Sequence, residues 1–121
     1  MAARVIDLDT GQIWALAATP ENDAGELYGA PTWRYRINRT RRADVCLSRP
    51  GVSKHHGGID FKDGRWWVND GGSINTVTVN GERMDPLRDR ALEDGDLLGF
   101  GDARLRFETD GLPPAPPVSR G

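Results

Sequence analysis

The chain has 121 residues, 37% of them hydrophobic, with a mean hydropathy of −0.58 and a formal net charge of −2. That is one domain's worth of chain, with enough apolar residues for a single modest core under a wet surface. No apolar run approaches the ~20 residues of a membrane span, the N-terminus lacks a secretory apolar stretch, and the net charge argues against a general nucleic-acid binder.

Residues 5–8 and 12–17 read as opening strands, the second as Gln-Ile-Trp-Ala-Leu-Ala. Residues 19–31 carry two prolines, two glycines, Asn22 and Asp23 and read as a loop, either a plain insertion or a lid. Arg34 to Ile37 alternates polar and apolar residues, and a short apolar run follows at 45–47. Cys46 lies in that run and is expected to be a buried, inert thiol. Strands at 59–62 and 65–69 flank Asp63-Gly64, the strongest hairpin signal of the chain. Asn80-Gly81 gives a second such turn between 77–79 and 82–84, and Asp94-Gly95 precedes a strand at 96–98. Residues 87–93 are the one helix-like stretch, too short for more than two turns. Ala103 to Phe107 has a clean period of two, with Ala103, Leu105 and Phe107 on one face.

Short strands with turn signals at this density predict an all-β fold, a two-sheet antiparallel β-sandwich of about 10–11 short strands. Residues 1–110 form the expected domain, and the proline-rich 111–121 an extended tail or linker. Trp66 and Trp67 must face opposite sides of their strand. Trp66, in phase with Val68, is expected in the core. Trp67 has two readings of equal weight: packed under a loop, or part of an exposed patch for a partner.

Between the strands lie segments rich in hydrogen-bond donors and turn formers: Asn38-Arg39, Ser53-Lys54-His55-His56, Asp70-Gly71-Gly72-Ser73-Ile74-Asn75 and Val79-Asn80-Gly81. A rigid β scaffold that presents several such loops to one anionic group would be a binding site, with no sign of chemistry. The glycine-rich segment lacks the lysine pattern of a nucleotide-binding P-loop. Asp94, Asp96 and Asp102 lack the spacing of a calcium loop. No nucleophile, base and orienting residue can be read as a set. His55 and His56 are adjacent, so their side chains diverge, and no metal or cofactor is expected. Arg34, Arg36, Arg39, Arg41 and Arg42 crowd one stretch, and Lys54 and Lys62 are the only lysines. That bias reads as a GC-rich, bacterial coding background.

These motifs, in this order, resemble the forkhead-associated (FHA) domain, a β-sandwich that binds phosphothreonine. The family pattern is Gly-Arg, then Ser-x-x-His, then Asp-x-x-Ser-Thr-Asn-Gly, then an Asn-Gly turn. Asn38-Arg39, Ser53 to His56, Asp70 with Gly72-Ser73-Ile74-Asn75, and Asn80-Gly81 stand in those places. The resemblance covers residues 33–107. It implies that Arg39 contacts the phosphate with its planar fork of donors. Ser53 would donate a hydroxyl or amide, and Lys54 would add a basic contact. Asn75 would hold the peptide backbone, with Ile74 beside it and Arg41 or Arg42 near enough to contribute. His56, Asp70, Asn80 and Gly81 would support the site structurally. The implied partner is a phosphothreonine-containing protein, a Ser/Thr kinase or its substrate, met in the cytoplasm by a monomeric, non-catalytic adaptor.

Three positions depart from the pattern. Asn38 replaces a glycine, which asparagine's tolerance of left-handed backbone would make harmless. Thr76 replaces the glycine after Asn75. Ile74 replaces a threonine or serine whose hydroxyl joins the phosphate contacts, a loss of roughly 1.5–3 kcal/mol. Ile74 and Trp67 together motivate the alternative of a degenerate scaffold that binds a protein surface without phosphate.

Overall fold

The computed structural model describes residues 3–18, 23–27, 30–53, 56–71, 77–86, 88–112 and 114, and the side chains of those outside 23–31. Twelve strands are present among them: β1 Ala3–Asp7, β2 Ile13–Ala15, β3 Asp23–Leu27, β4 Ala30–Asn38, β5 Val45–Cys46, β6 Gly57–Lys62, β7 Arg65–Asp70, β8 Val77–Val79, β9 Glu82–Arg83, β10 Arg90–Ala91, β11 Leu97–Phe100 and β12 Ala103–Thr109. One sheet runs β2-β1-β12-β11-β8-β9, the other β10-β7-β6-β4-β3, with β5 paired to β4 in parallel and every other pairing antiparallel. The expected all-β sandwich is the fold. No described segment forms a helix long and apolar enough to cross a membrane.

The period-two pattern decides which side chains meet between the sheets. In β12 the alternation is strict: Ala103, Leu105 and Phe107 are fully buried, while Arg104 and Arg106 face out. Val5, Leu98, Phe100, Val77 and Val79 join them from the first sheet. Tyr35, Ile37, Ile59, Phe61, Trp66 and Val68 oppose them from the second. Trp66 joins the two layers, with ring centroids 5.0 Å from Phe61, 6.0 Å from Tyr35 and 5.9 Å from Phe107 across the interface.

Tight turns gather at one end of the sandwich. Asp63-Gly64 joins β6 to β7 with φ of 53° and 70°, and Asn80-Gly81 joins β8 to β9 with φ of 52° and 84°. Positive φ at both central residues matches the right-handed twist of the strands, which is why these dipeptides turn here.

Four expectations need correction. Residues 19–31 are not a loop throughout: β3 pairs with β4 from Asp23↔Arg34 to Leu27↔Ala30 as an edge hairpin, because backbone pairing overrides weak local propensity. The helix-like 87–93 instead contains β10, which satisfies the open edge of β7 through Arg90↔Val68 and Ala91↔Trp67. Cys46 is half-buried rather than buried, since Val45 takes the inward phase of β5. Trp67 is neither under a loop nor a bare patch. Its indole N–H donates to the Lys62 carbonyl at 3.1 Å, and Lys62 and Arg65 lie 5.6 and 5.5 Å from its ring. In the expected tail, Leu112 is exposed and Pro114 buried, and 113 and 115–121 lie outside the described residues.

The two tryptophans therefore separate in a denaturation experiment. Trp66→Ala should destabilise the domain by about 3–5 kcal/mol through cavity formation, and Trp67→Ala by roughly 1 kcal/mol, the scale of an exposed cation–π contact. Equal losses in urea unfolding monitored by circular dichroism would contradict this assignment.

Candidate functional site

The motif loops gather at the end opposite the Asp63-Gly64 and Asn80-Gly81 turns. β4 ends there at Asn38, β6 begins at Gly57, β7 ends at Asp70 and β8 begins at Val77. The turn at Gly101-Asp102, between β11 and β12, closes the same end.

Asn38 sets the direction of the first loop. The residue is 7% exposed, and its Oδ1 accepts from the Thr40 amide at 2.8 Å and the Thr40 hydroxyl at 2.6 Å. This is a side-chain turn of the kind asparagine makes with its own backbone. The position has no left-handed φ, so Asn38 replaces glycine by capping the turn, not by tolerating strained backbone. The next turn, closed by Ala43 N–H to Thr40 C=O at 3.2 Å, puts Arg41 and Arg42 at an exposed tip.

Arg39 stands between these turns with an exposed side chain and no ion pair to any described residue. Its amide donates to the Ser53 carbonyl at 3.3 Å, and the Ser53 amide donates to Nδ1 of His56 at 3.1 Å. The His56 ring is 0% exposed and packs edge-on against Phe100 at 5.4 Å. Its backbone carbonyl accepts from Gly71 at 2.8 Å, which carries the β6–β7 ladder into the third loop. Arg39, Ser53, His56 and Gly71 are thus one hydrogen-bonded unit built on a buried imidazole. Asp70 is half-buried at the end of β7, opposite Gly57.

A second brace escaped the sequence. Arg49, in the loop that leads to Ser53, donates to Asp7 at the end of β1 and pairs with Asp9 at 3.2 Å. The Asp7 side chain is 3% exposed and that of Arg49 21%. Asp7 also accepts from the amides of Asp9 at 2.9 Å and Thr10 at 3.3 Å. Burial alone would push the Asp7 carboxyl up, but the Arg49 guanidinium and these amides hold it below the usual carboxylate range. Backbone packing adds to the brace: a Cβ at Gly101 would sit 2.1 Å from the Gly51 carbonyl oxygen, so only glycine permits this approach. Nothing local marks Asp7 or Arg49, which lie 42 positions apart.

Of the expected site residues, Arg39, Ser53 and His56 come together, and Arg41 lies on the adjoining turn. Lys54, Ile74 and Asn75, with Thr76 and His55, lie outside the described residues. Asn80 and Gly81 do not support this end. Three-residue β8 carries them to the far end, where Asn80 donates to Asp96 at 3.0 Å and accepts from the Leu97 amide at 2.9 Å.

The model of the FHA domain matches residues 35–101, which includes both the sandwich core and these loops. The chain belongs to the FHA-domain family. An FHA domain-containing protein of Arabidopsis thaliana is 31% identical over 68 residues, covering 55% of this chain and 18% of that protein. The ABC transporter ATP-binding/permease protein Rv1747 of Mycobacterium tuberculosis is 33% identical over 88 residues, covering 73% of this chain and 10% of that protein. The chain therefore spans less than a fifth of the length of these curated relatives. Among solved structures, Mycobacterium tuberculosis EmbR in complex with a low-affinity phosphopeptide superposes with a TM-score of 0.72 at 25% identity, covering 99% of this chain and 26% of that one. The N-terminal FHA domain of Saccharomyces cerevisiae Rad53p, in complex with a phosphothreonine peptide, gives 0.73 at 20% identity, covering 91% and 94%.

The Asp7–Arg49 brace predicts a pH dependence for this FHA domain. A carboxyl held low in the folded state contributes stability above its unfolded value near 3.8, and that stability is lost as pH falls through the folded value. Asp7→Asn should lose roughly 3 kcal/mol at neutral pH, the low end for a broken buried pair, and should show a shallower stability decline below pH 4 than wild type. Thermal melts between pH 7 and pH 3 measure both, and parallel curves would refute the role given to Asp7.

Proposed function

We propose that this FHA domain is a non-catalytic adaptor that binds phosphothreonine peptides in Ser/Thr kinase-linked signalling. The observation that carries the reading is the placement of Arg39. Its exposed guanidinium meets no described carboxylate, while its backbone is fixed through Ser53 to buried His56. A phosphate dianion needs charge-assisted donors, and an arginine fork carried on a braced loop supplies two in planar geometry. The EmbR and Rad53p domains, similar in fold, are in complex with phosphopeptides.

In this reading Arg39 and Ser53 grip the phosphate, Lys54 and Arg41 add positive charge, and Asn75 holds the peptide backbone beside Ile74. Neither cofactor nor metal takes part. The partner is a phosphothreonine-containing kinase or kinase substrate, met by a cytoplasmic monomer. Residues 1–110 are the binding unit and 111–121 a linker.

A second reading rests on Ile74, which has no hydroxyl to donate where the family places one. It makes the same surface a phosphate-independent protein contact.

Fluorescence titration of a degenerate phosphothreonine library, with phosphoserine and unphosphorylated controls, separates the two. Wild type should prefer phosphothreonine, and Arg39→Ala should weaken that binding about ten- to a hundredfold, the loss of a hydrogen bond to a charged group. Equal affinity for plain and phosphorylated peptides would favour the second reading.

A further inference from the structure

The family model matches from residue 35 onward, so the hairpin of β1 and β2 lies wholly outside the match. That hairpin nevertheless meets the loop that carries Ser53. Its turn is built on one carboxylate: Asp7 Oδ1 accepts from the amides of Asp9 and Thr10, and the Asp7 carbonyl accepts from Gly11 N–H at 2.8 Å. The other oxygen, Oδ2, accepts from Arg49 Nη2. Asp9 accepts from Arg49 Nη1 at 3.2 Å and from Arg104 of β12 at 3.4 Å. Two acids of one turn thus hold both terminal nitrogens of the Arg49 guanidinium, a planar grip that an ammonium group does not reproduce.

The grip reaches Ser53 through one tight turn. The Arg49 carbonyl accepts the Val52 amide at 3.2 Å, with Pro50 and Gly51 as the central residues and Gly51 at φ 85°. Val52 is buried in the core, and the Gly51 carbonyl lies against Gly101. Ser53 follows directly. Its amide is committed to His56 and its carbonyl to the Arg39 amide, so the hydroxyl is the group it keeps for a ligand. The place of that hydroxyl is set from two sides, by His56 after it and by the Arg49 turn before it. Hydrogen bonds weaken steeply with misalignment, so a shift of this turn would be felt in affinity.

We infer that Arg49 is a positioning residue for phosphopeptide binding: gripped by Asp7 and Asp9, it holds the 49–53 turn so that the Ser53 hydroxyl meets the phosphate, and the N-terminal hairpin becomes part of the site. The inference rests on the phosphopeptide reading above. A turn without this grip would have to order when the ligand arrives, which lowers affinity. Arg49 itself is not the phosphate contact, because both its terminal nitrogens already face acids. It acts through Ser53.

The test is a double-mutant cycle on affinity for the degenerate phosphothreonine library. Wild type, Arg49→Lys, Arg49→Met, Ser53→Ala and the two combined variants are titrated at a temperature where thermal melts show each to be folded. Arg49→Met should weaken binding about five- to tenfold, the scale of ordering one side chain at an interface. Arg49→Lys keeps Asp7 paired without the fork, so it should fall between Arg49→Met and wild type, and it decides the matter where Arg49→Met does not fold. In the Ser53→Ala background either change should cost less than about twofold, because the group being positioned is gone. Val79→Ala, a cavity in the core beside the far turn, should lower stability and leave affinity unchanged. Unchanged affinity in every folded Arg49 variant, an equal loss with and without Ser53, or the same loss in Val79→Ala overturns the positioning role alone. Failure of wild type to bind any phosphopeptide overturns the phosphate reading and the positioning role with it.

Discussion

The loop end of this domain depends on one imidazole that water does not reach. His56 accepts the Ser53 amide at Nδ1, so that nitrogen must be the unprotonated one. A loop that carries functional side chains has unpaired backbone groups by nature, and burying them unpaired is costly. Here one such amide ends on an aromatic ring seated against Phe100 in the core. Polar satisfaction and apolar packing thereby come from the same residue. The Arg39 backbone is then tied to the loop through the Ser53 carbonyl, and the loop to the sheet through Gly71.

The two ends of the sandwich solve different problems. At the far end, Asp-Gly and Asn-Gly dipeptides reverse the chain in the fewest residues and set strand register. At the near end, apart from the Gly101-Asp102 turn, the connections are longer and held by side chains: Asn38 onto Thr40, Arg49 onto Asp7, His56 onto Ser53. Longer loops lose more conformational entropy on ordering, so each needs its own braces. The result is loop backbone ordered before any ligand arrives, which lowers the entropic cost of binding.

What was legible in the sequence follows from the range of each signal. Period-two alternation at 34–37 and 103–107 and the Asp63-Gly64 and Asn80-Gly81 turns act over a few residues, so their structures were readable directly. Trp66 was placed by its phase with Val68. Edge strands β3 and β10 were missed because pairing with β4 and β7 creates them, and local composition does not. The Asp7–Arg49 brace and the row of Arg36, Gly58 and Asn69 exist only once distant strands are in register. The motif order was enough to gather Arg39, Ser53 and His56. It gave no hint that Asn80 and Gly81 stand at the other end.

The arginines of the 34–42 stretch show why charge density in sequence is a poor guide to function. Read as a run, they suggest a basic patch for any polyanion. In the fold their roles diverge. Arg34 lies against a fully buried carboxylate, and an unpaired Asp60 there would be strongly unfavourable. Its charge is therefore largely structural. Arg36 stands on the same outer face, in register with Gly58 of β6. Arg39, Arg41 and Arg42 occupy the turns at the loop end and form no ion pair with a described residue. Strand alternation thus keeps Arg34 and Arg36 on one outer face of β4, the first held by Asp60, and the turn after Asn38 separates them from a loop-end group. The phosphopeptide reading proposed above draws on the last of these groups alone.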